Sequence, residues 1–384
     1  MRIRRGFVLA AAVLTSALVV VGCARDTGTS QPAGGGGTNA GACARNSAPS
    51  APGGGSASPA PALPNADASG LKVGLAFDIG GRGDASFNDA AGAGLDRAIS
   101  ELGLAKANTK ELTAGPNESE DAAATRLRQL ASEGYNPIIA VGFKYATALK
   151  TVAAESPNTQ FAIVDDSSVE LPNVTPLVFA EEQGSFLVGV AAALKTQTCK
   201  IGFVGGVEQP LIQKFQAGYV QGAKAVAPDI QVDVDYLTPA GDFTGFSDPA
   251  KGQVVATGQL DGGADVIYHA AGASGQGVFQ AVKAAGKSAI GVDSDQYNIP
   301  GLADVKDVII TSMLKRVDVA VFDYINAAAA GNLSTLPDTF DLKVDGVGYA
   351  TSGGKVDDIK AQLDAYKAAI ISGAVSVQTT PTSS

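Results

Sequence analysis

From residue 71 onward, short apolar segments alternate with longer stretches in which apolar residues recur at helical spacing. Short apolar runs bounded by turn residues are typical of buried strands, and the longer pattern is typical of amphipathic helices. The short runs predict strands at 72–77, 109–112, 137–141, 161–164, 175–178, 200–204, 231–236, 266–269, 289–292 and 308–311. The longer stretches predict helices that include 87–100, 118–132, 185–195, 213–226, 250–260 and 315–329. This alternation predicts an α/β fold in which helices cover both faces of parallel sheets.

Two parts of the chain open in the same way. The strands at 72–77 and 200–204 are each followed by a glycine-rich turn and a helix. Because these openings lie about one domain length apart, they favour two similar lobes over one long sheet. We expect lobe 1 to contain residues 71–180 and 296–330, and lobe 2 to contain residues 181–295 and 331–378. Residues 379–384 are expected to form a flexible tail.

The first 23 residues have the pattern of an export signal. A basic start is followed by an apolar run at 7–21, which is short for a membrane-spanning helix. The run ends in Val20, Val21, Gly22 and Cys23, which resembles a bacterial lipobox. We therefore expect lipidation at Cys23, which would anchor the exported protein to the cell membrane. A plain signal peptide with an incidental cysteine, or a retained anchor helix, is the alternative.

Residues 24–70 consist largely of Gly, Ser, Pro, Ala and Thr. Such a segment buries too little apolar surface to offset its ordering entropy, which predicts a flexible linker. Cys43 lies in this linker and Cys199 in the folded part. Outside the cytoplasm the two could form a disulfide, but the sequence alone does not establish the geometry that a disulfide needs.

The composition narrows the chemistry. The formal net charge is -10, from 28 Lys and Arg against 38 Asp and Glu, and no basic stripe is present. This excludes a nucleic acid polymer as an expected partner. With one His and three Cys among 384 residues, the chain has few of the usual metal and acid–base groups. It also has no Walker A motif and no G-x-G-x-x-G fingerprint. The sequence therefore predicts neither a cofactor nor a metal site.

Polar residues follow several of the predicted strands. They include Asp78, the pair Asp165 and Asp166, Asp293 and Lys315. In open α/β sheets, ligands lie outside the carboxyl ends of the strands. Carboxylates there suit the hydroxyls of a sugar, and nearby rings such as Phe87 and Phe246 could enclose a flat heterocycle. Each of these residues also has an ordinary structural alternative, as a helix cap or as core.

Several short motifs occur in a characteristic order. They are DIGG at 78–81, SFN at 86–88, VGF at 141–143, IVDD at 163–166, EQGSFLVG at 182–189, GFVGG at 202–206, FSDPAKG at 246–252, GVDSDQ at 291–296 and TSMLK at 311–315. In these motifs the chain resembles the basic membrane protein family of solute-binding lipoproteins, also called the PnrA-like family. The resemblance extends from about residue 71 to residue 349.

The resemblance implies a type I periplasmic-binding-protein fold that binds a nucleoside, preferably a purine nucleoside, between two lobes. It implies ligand contacts from Asp78, Phe87, Asn88, Asp166, Phe246, Gly272, Gly275, Asp293 and Lys315. Phe243 is close enough to Phe246 to leave the placement of that ring open, and Asp165 cannot be separated from Asp166. The implied partners are the permease and ATPase subunits of an ABC transporter, served by a monomeric receptor.

Two other classes of protein remain in view. A secreted nucleoside-processing enzyme would need a nucleophile with a base, and His269 is the only plausible general base. A sensory or adhesion lipoprotein could keep the fold without transporting anything. The absence of a catalytic set favours the binding protein.

Overall fold

The computed structural model describes residues 43–49, 64–115 and 118–382, and within these ranges the chain forms two sheets. The expected signal segment and Cys23 lie outside the described residues, as do residues 24–42 and 50–63 of the expected linker. No helix in the described part of the chain is long and apolar enough to cross a membrane.

The first sheet is entirely parallel and has the strand order β2-β1-β3-β4-β5. Its strands are β1 Val73–Phe77, β2 Thr109–Thr113, β3 Ile138–Ala140, β4 Phe161–Val164 and β5 Val174–Leu177. The second sheet has the order β11-β10-β9-β8-β6-β7. Its strands are β6 Lys200–Val207, β7 Gln231–Thr238, β8 Val266–Ala270, β9 Ser288–Asp293, β10 Ile309–Lys315 and β11 Val347–Tyr349. Only the short strand β11 runs antiparallel to its neighbour in this sheet.

Helices connect the strands and cover the sheets. They are α1 Phe87–Glu101, α2 Glu120–Ser132, α3 Ala146–Glu155, α4 Glu181–Lys195, α5 Pro210–Val226, α6 Pro249–Asp261, α7 Gly275–Ala285, α8 Val317–Ala329 and α9 Lys360–Ile371. Strands such as β1 and β8 are buried along their whole length, as expected of parallel strands covered on both faces. The predicted α/β class is confirmed.

Helices α4 and α5 pack with their backbones in close approach. A Cβ atom on Gly218 would lie 2.0 Å from the carbonyl oxygen of Glu182, and one on Gly222 would lie 2.0 Å from that of Phe186. Glycines at these positions therefore set the distance between the two helices. Because α4 follows lobe 1 and α5 begins beside the cleft, this packing holds the start of α5 in place.

The expected lobe boundaries need one correction. Residues 296–330 were assigned to lobe 1, but β10 pairs in parallel with β9 and belongs to the second sheet. Only α8, which follows β10, returns to lobe 1 and packs against α1. Gly94 of α1 permits this, since a Cβ there would lie 2.5 Å from the backbone oxygen of Asp318. Strand membership is decided by pairing, which the order of elements along the chain does not reveal.

Within the described residues from 71 onward, the chain crosses between the lobes in three places: after β5, after β10 and near Phe340. The first and third crossings lie side by side. The Phe340 N–H donates to the Val178 carbonyl, and the Ala180 N–H donates to the Phe340 carbonyl. The rings of Phe179 and Phe340 stack with centroids 5.2 Å apart. We call these two segments, 178–183 and 339–341, the hinge segments.

Parts of the expected linker are packed on the folded body. Cys43 is disulfide-bonded to Cys199, and the Asn46 N–H donates to the Val226 carbonyl at the end of α5. Ala68 is fully buried and its N–H donates to the Leu102 carbonyl of lobe 1. At the other end of the chain, the Gln378 N–H donates to Gln221. Segments 43–49 and 64–70 are thus part of the folded structure and differ from the flexible linker expected there.

Candidate functional site

A cavity lies between the carboxyl ends of the two sheets. Lobe 1 contributes the loops after β1, β3 and β4. Lobe 2 contributes the start of α5, the loops after β7 and β8, and the last residues of β9 and β10. The cavity has a volume of about 640 Å³, counting the part open to solvent. Its lining includes seven of the predicted site residues, namely Asp78, Phe87, Asn88, Phe246, Gly272, Asp293 and Lys315.

Two predicted residues lie elsewhere. Asp166 turns away from the cavity, and its Oδ1 accepts hydrogen bonds from the Ser168 N–H and Oγ, both at 2.7 Å. Asp165 lines the cavity in its place, where the backbone leaves β4 in a left-handed turn with φ +69°. Gly275 lies behind the wall, where a Cβ would come within 2.0 Å of the His269 ring. Its small size makes room for this ring rather than for a ligand.

The structure separates Phe246 from Phe243. The Phe246 ring lies against Gly206, where a Cβ would come within 2.4 Å of the ring, and it faces the cavity. Phe243 instead meets Phe143 of lobe 1, with ring centroids 5.8 Å apart, and Lys144 of lobe 1 lies 4.8 Å above the Phe243 ring. Phe246 is therefore available inside the cleft, whereas Phe243 joins the lobes beside it.

Asp78 is held at the end of β1 by its neighbours. Its N–H donates to Asn88 Oδ1, and its own Oδ1 accepts from the Ile79 N–H at 2.7 Å. Gly142, whose φ is +110°, leaves room for the carboxylate, since a Cβ there would lie 2.9 Å from Asp78 Oδ2. Burial raises the pKa of Asp78 to about 6, and Lys144 opposes this rise.

Asn88 positions the loop after β1. Its Oδ1 accepts from Asp78, and its Nδ2 donates to the Ile79 carbonyl and to Asp84 Oδ2. Asp84 also accepts from the backbone N–H groups of Ser86 and Asn88. The amide of Asn88 is thus engaged within the protein, although the residue lines the cavity.

A buried ammonium occupies the base of the cavity. Lys315 Nζ lies 2.6 Å from Asp165 Oδ1 and 3.2 Å from Glu181 Oε1, and the Lys315 side chain is 2% exposed. Burial alone would lower the pKa of Lys315, but Asp165, Glu181 and Asp293 together raise it above its usual value. Lys315 therefore stays charged. Burial raises the pKa of Asp165 to about 7 despite its pairing with Lys315.

Asp293 connects the two lobes. It ends β9 with φ +63°, and its Oδ2 accepts a hydrogen bond from Ser86 Oγ of lobe 1 at 2.7 Å. Two further bonds join the same loops: Ser294 Oγ donates to the Ser86 carbonyl, and Gln296 Nε2 donates to the Ala85 carbonyl. Burial raises the pKa of Asp293, against the effect of Lys315.

Sequence reasoning missed the apolar wall formed by Leu211, Ile212 and Phe215 at the start of α5. In the sequence these residues have the pattern of ordinary core. The repeated strand–turn–helix pattern could have revealed this wall, because α5 occupies in lobe 2 the position that α1 occupies in lobe 1. Since Phe87 and Asn88 begin α1, the corresponding turn of α5 was the place to search.

His269 is fully buried and lies outside the cavity lining. Its Nε2 lies 3.1 Å from Gln296 Oε1, and burial lowers its pKa to about 4. A neutral ring in this position supports Gln296 and the loop after β9. Among the described residues, no group of three or more His, Cys, Asp or Glu side chains is arranged to hold a metal ion.

The chain is similar to a family of transport proteins and to several of its known relatives. Residues 71–380 match the family model described as "ABC transporter substrate-binding protein PnrA-like". The chain is 35% identical over 321 residues to the ABC transporter nucleoside-binding protein BmpA of Lactococcus lactis subsp. cremoris, covering 80% of this chain and 89% of that protein. It is 37% identical over 292 residues to an uncharacterized lipoprotein of Pyrococcus horikoshii, covering 73% and 68% of the two chains.

A solved structure extends the similarity to the fold. The ABC transporter system solute-binding protein from Aeropyrum pernix K1 aligns with a TM-score of 0.67 and 28% identity. The alignment covers 80% of this chain and 93% of that one. Both kinds of match thus include nearly all of the two lobes.

Replacing Lys315 with Met should lower the free energy of unfolding by about 3–5 kcal/mol, because Asp165 would stay buried without its cation. Denaturant unfolding of the two proteins would measure the difference. Lys195→Met is the control, since it breaks a pair with the largely exposed Asp358 and should cost about 1 kcal/mol or less. Equal losses in the two variants would contradict the role given to Lys315.

Proposed function

The chain belongs to the PnrA-like family of ABC transporter substrate-binding proteins, and from this membership we propose that it binds a nucleoside, preferably a purine nucleoside, in the cavity between its lobes. The observation that carries the proposal is the combination of two aromatic rings with buried carboxylates around one cavity. Phe87 comes from lobe 1 and Phe246 from lobe 2, with Asp78 and Asp293 on the same two sides.

This combination suits both halves of a nucleoside. A heterocyclic base offers a flat face to aromatic rings, and stacking of this kind tolerates different bases. The ribose offers hydroxyl donors, and an ionised carboxylate accepts such hydrogen bonds strongly. Asp293 keeps one oxygen bonded to Ser86, so a sugar hydroxyl would share a carboxylate that is already oriented. A similar protein that carries the name nucleoside-binding protein supports this assignment.

The position of the cavity between two lobes suits a role in transport. A ligand that contacts both lobes favours the closed arrangement, with the backbone change absorbed at the crossings between lobes. On this proposal, the closed protein delivers its ligand to the permease and ATPase subunits of an ABC importer. The family is a group of substrate-binding proteins, and His269, the base that an enzyme would require, lies outside the cavity lining.

Lipidation at Cys23 would hold the protein at the outer face of the cell membrane. The lipobox-like sequence before Cys23 supports this part of the proposal, as does the similar archaeal protein named a lipoprotein. The stretch between Cys23 and Cys43 would then join the anchor to lobe 2, where the disulfide to Cys199 lies.

Stacking on Phe87 is tested by calorimetric titration with inosine. Phe87→Ala should weaken binding by about 1–3 kcal/mol, because one stacking surface is lost. Phe87→Tyr keeps the ring and should retain most of the affinity, whereas Phe87→Leu keeps only apolar bulk and should resemble Phe87→Ala. Unchanged affinity in Phe87→Ala would show that the base does not stack on Phe87.

Anchoring is tested by expressing the full chain and its Cys23→Ala variant in a bacterium and separating membrane from soluble material. The variant lacks the thiol that would carry the lipid, so it should lose the acyl modification and leave the detergent-soluble membrane fraction. Cys43→Ser is the matched control and should remain membrane-bound. Acylation and membrane association that persist in Cys23→Ala would exclude this residue as the anchor.

A further inference from the structure

A second hollow adjoins the proposed nucleoside cavity on the side of the hinge segments. The two share Phe143, Asp165 and Leu211 as a common wall. The hollow is bounded by lobe 1 at 165–168, by the start of α5 and by both hinge segments. Its volume is about 1470 Å³, counting the part open to solvent. We call it the hinge chamber.

Glu182 faces the hinge chamber with a buried carboxylate, one oxygen of which is unpaired in the described part of the chain. It lies at the start of α4, is 8% exposed and lines the chamber. Its Oε2 is buried and has no hydrogen-bond partner within the described residues. The side-chain nitrogen of Gln209, which also lines the chamber, is buried without a partner in the same part of the chain. Such groups are costly to leave unpaired, by about 1–3 kcal/mol for a neutral group and more for a charge.

The charges around Glu182 do not supply this partner. Lys214, on the chamber wall, is bonded to Glu181 at 3.2 Å. Asp341, also on the wall, accepts hydrogen bonds from the N–H groups of Lys343 and Val344. Burial, with Glu181 and Asp341, raises the pKa of Glu182 to about 7 against the effects of its own backbone N–H and Lys214. The chamber therefore carries excess negative charge.

The carboxylates also fail to form a metal site. Asp166 is engaged with Ser168 and Asp165 with Lys315. No cluster suited to a metal ion is found in the part of the chain that the structure describes. The unpaired oxygen of Glu182 is an acceptor and fits an organic group that carries its own hydrogen-bond donors. The Gln209 nitrogen is itself a donor, so it needs an acceptor and does not contribute to holding such a group.

We propose that the hinge chamber binds an organic cation, such as an ammonium group, with Glu182 as its ionic partner. The cation has two possible sources that share this chemistry. It belongs to a free amine, or it belongs to an amino substituent on the molecule in the neighbouring cavity, which the shared wall would allow. In either case, a positive charge would lie in a chamber bounded by both lobes and both hinge segments.

The test uses the chain from Ala24 onward, which retains every described residue. Putrescine is titrated calorimetrically at near-physiological salt, with butane-1,4-diol as a neutral molecule of the same length. Putrescine should bind and the diol should not. Glu182→Gln should weaken putrescine binding at least about tenfold, a loss of about 1.4 kcal/mol. Glu170→Gln removes the same charge from an exposed position outside the chamber lining and should leave binding unchanged.

The pH dependence supplies a second readout. Only the ionised form of Glu182 pairs with a cation, so affinity should rise by roughly tenfold between pH 6 and pH 8. This rise should disappear in Glu182→Gln. The same substitution removes a buried carboxylate with one unpaired oxygen, so the melting temperature of Glu182→Gln should not fall below that of the parent. That result separates lost binding from lost folding.

The source of the cation is distinguished by adding nucleosides. Binding of putrescine to the nucleoside-free chain assigns the chamber to free amines and does not depend on the proposed nucleoside function. Binding of 5′-amino-5′-deoxyadenosine more tightly than adenosine, with the advantage lost in Glu182→Gln, assigns the chamber to a substituted ligand. If neither cation depends on Glu182, the proposal is wrong, whether or not adenosine binds.

Discussion

The ammonium of Lys315 is the charge on which the arrangement of the two lobes depends. It ends β10 in lobe 2, yet its closest partner is Asp165 of lobe 1, and its other partner, Glu181, begins α4 within the first hinge segment. All three side chains are almost fully removed from water. Charges buried to this degree are tolerated only when they are paired. Separating the lobes would part Lys315 from Asp165 and return both to water, so the pair couples the position of the lobes to the floor of the cavity.

The remaining contacts between lobes surround the same cavity. Ser86 donates to Asp293 on one side, and Phe143 meets Phe243 on another. The side chains that would bind a nucleoside are thus the ones that join the lobes, or their direct neighbours. A ligand that satisfies Asp78 and fills the space between Phe87 and Phe246 would add to contacts already present in this arrangement. The same interactions would therefore serve both ligand binding and closure of the lobes.

The sequence predicted the α/β class and nearly all strands because parallel strands buried on both faces are continuous apolar runs. It missed β11, in which only Val347 is fully buried, so no continuous apolar run marks this strand, unlike the equally short β3. The seven predicted residues in the cavity lining follow strands or begin helices, positions that the chain order reveals. Asp166 and Gly275 lie outside the cavity lining. The left-handed backbone at Asp165, with φ +69°, sets which of the two aspartates faces the cavity, and the space beside Gly275 is taken by the His269 ring. Glu181 and the α5 wall were missed because they have the pattern of an ordinary helix start and core.

The most direct test of nucleoside binding is a calorimetric titration of the chain from Ala24 onward with inosine, its 5′-monophosphate and ribose. The cavity is lined by four carboxylates, at residues 78, 84, 165 and 293, and by one ammonium, that of Lys315. This excess of negative charge disfavours a phosphate. We expect inosine to bind at one site per chain, with ribose and the monophosphate much weaker because one lacks the stacking base and the other adds negative charge. A folded sample that binds none of the three, or that binds ribose as tightly as inosine, would contradict the proposed function.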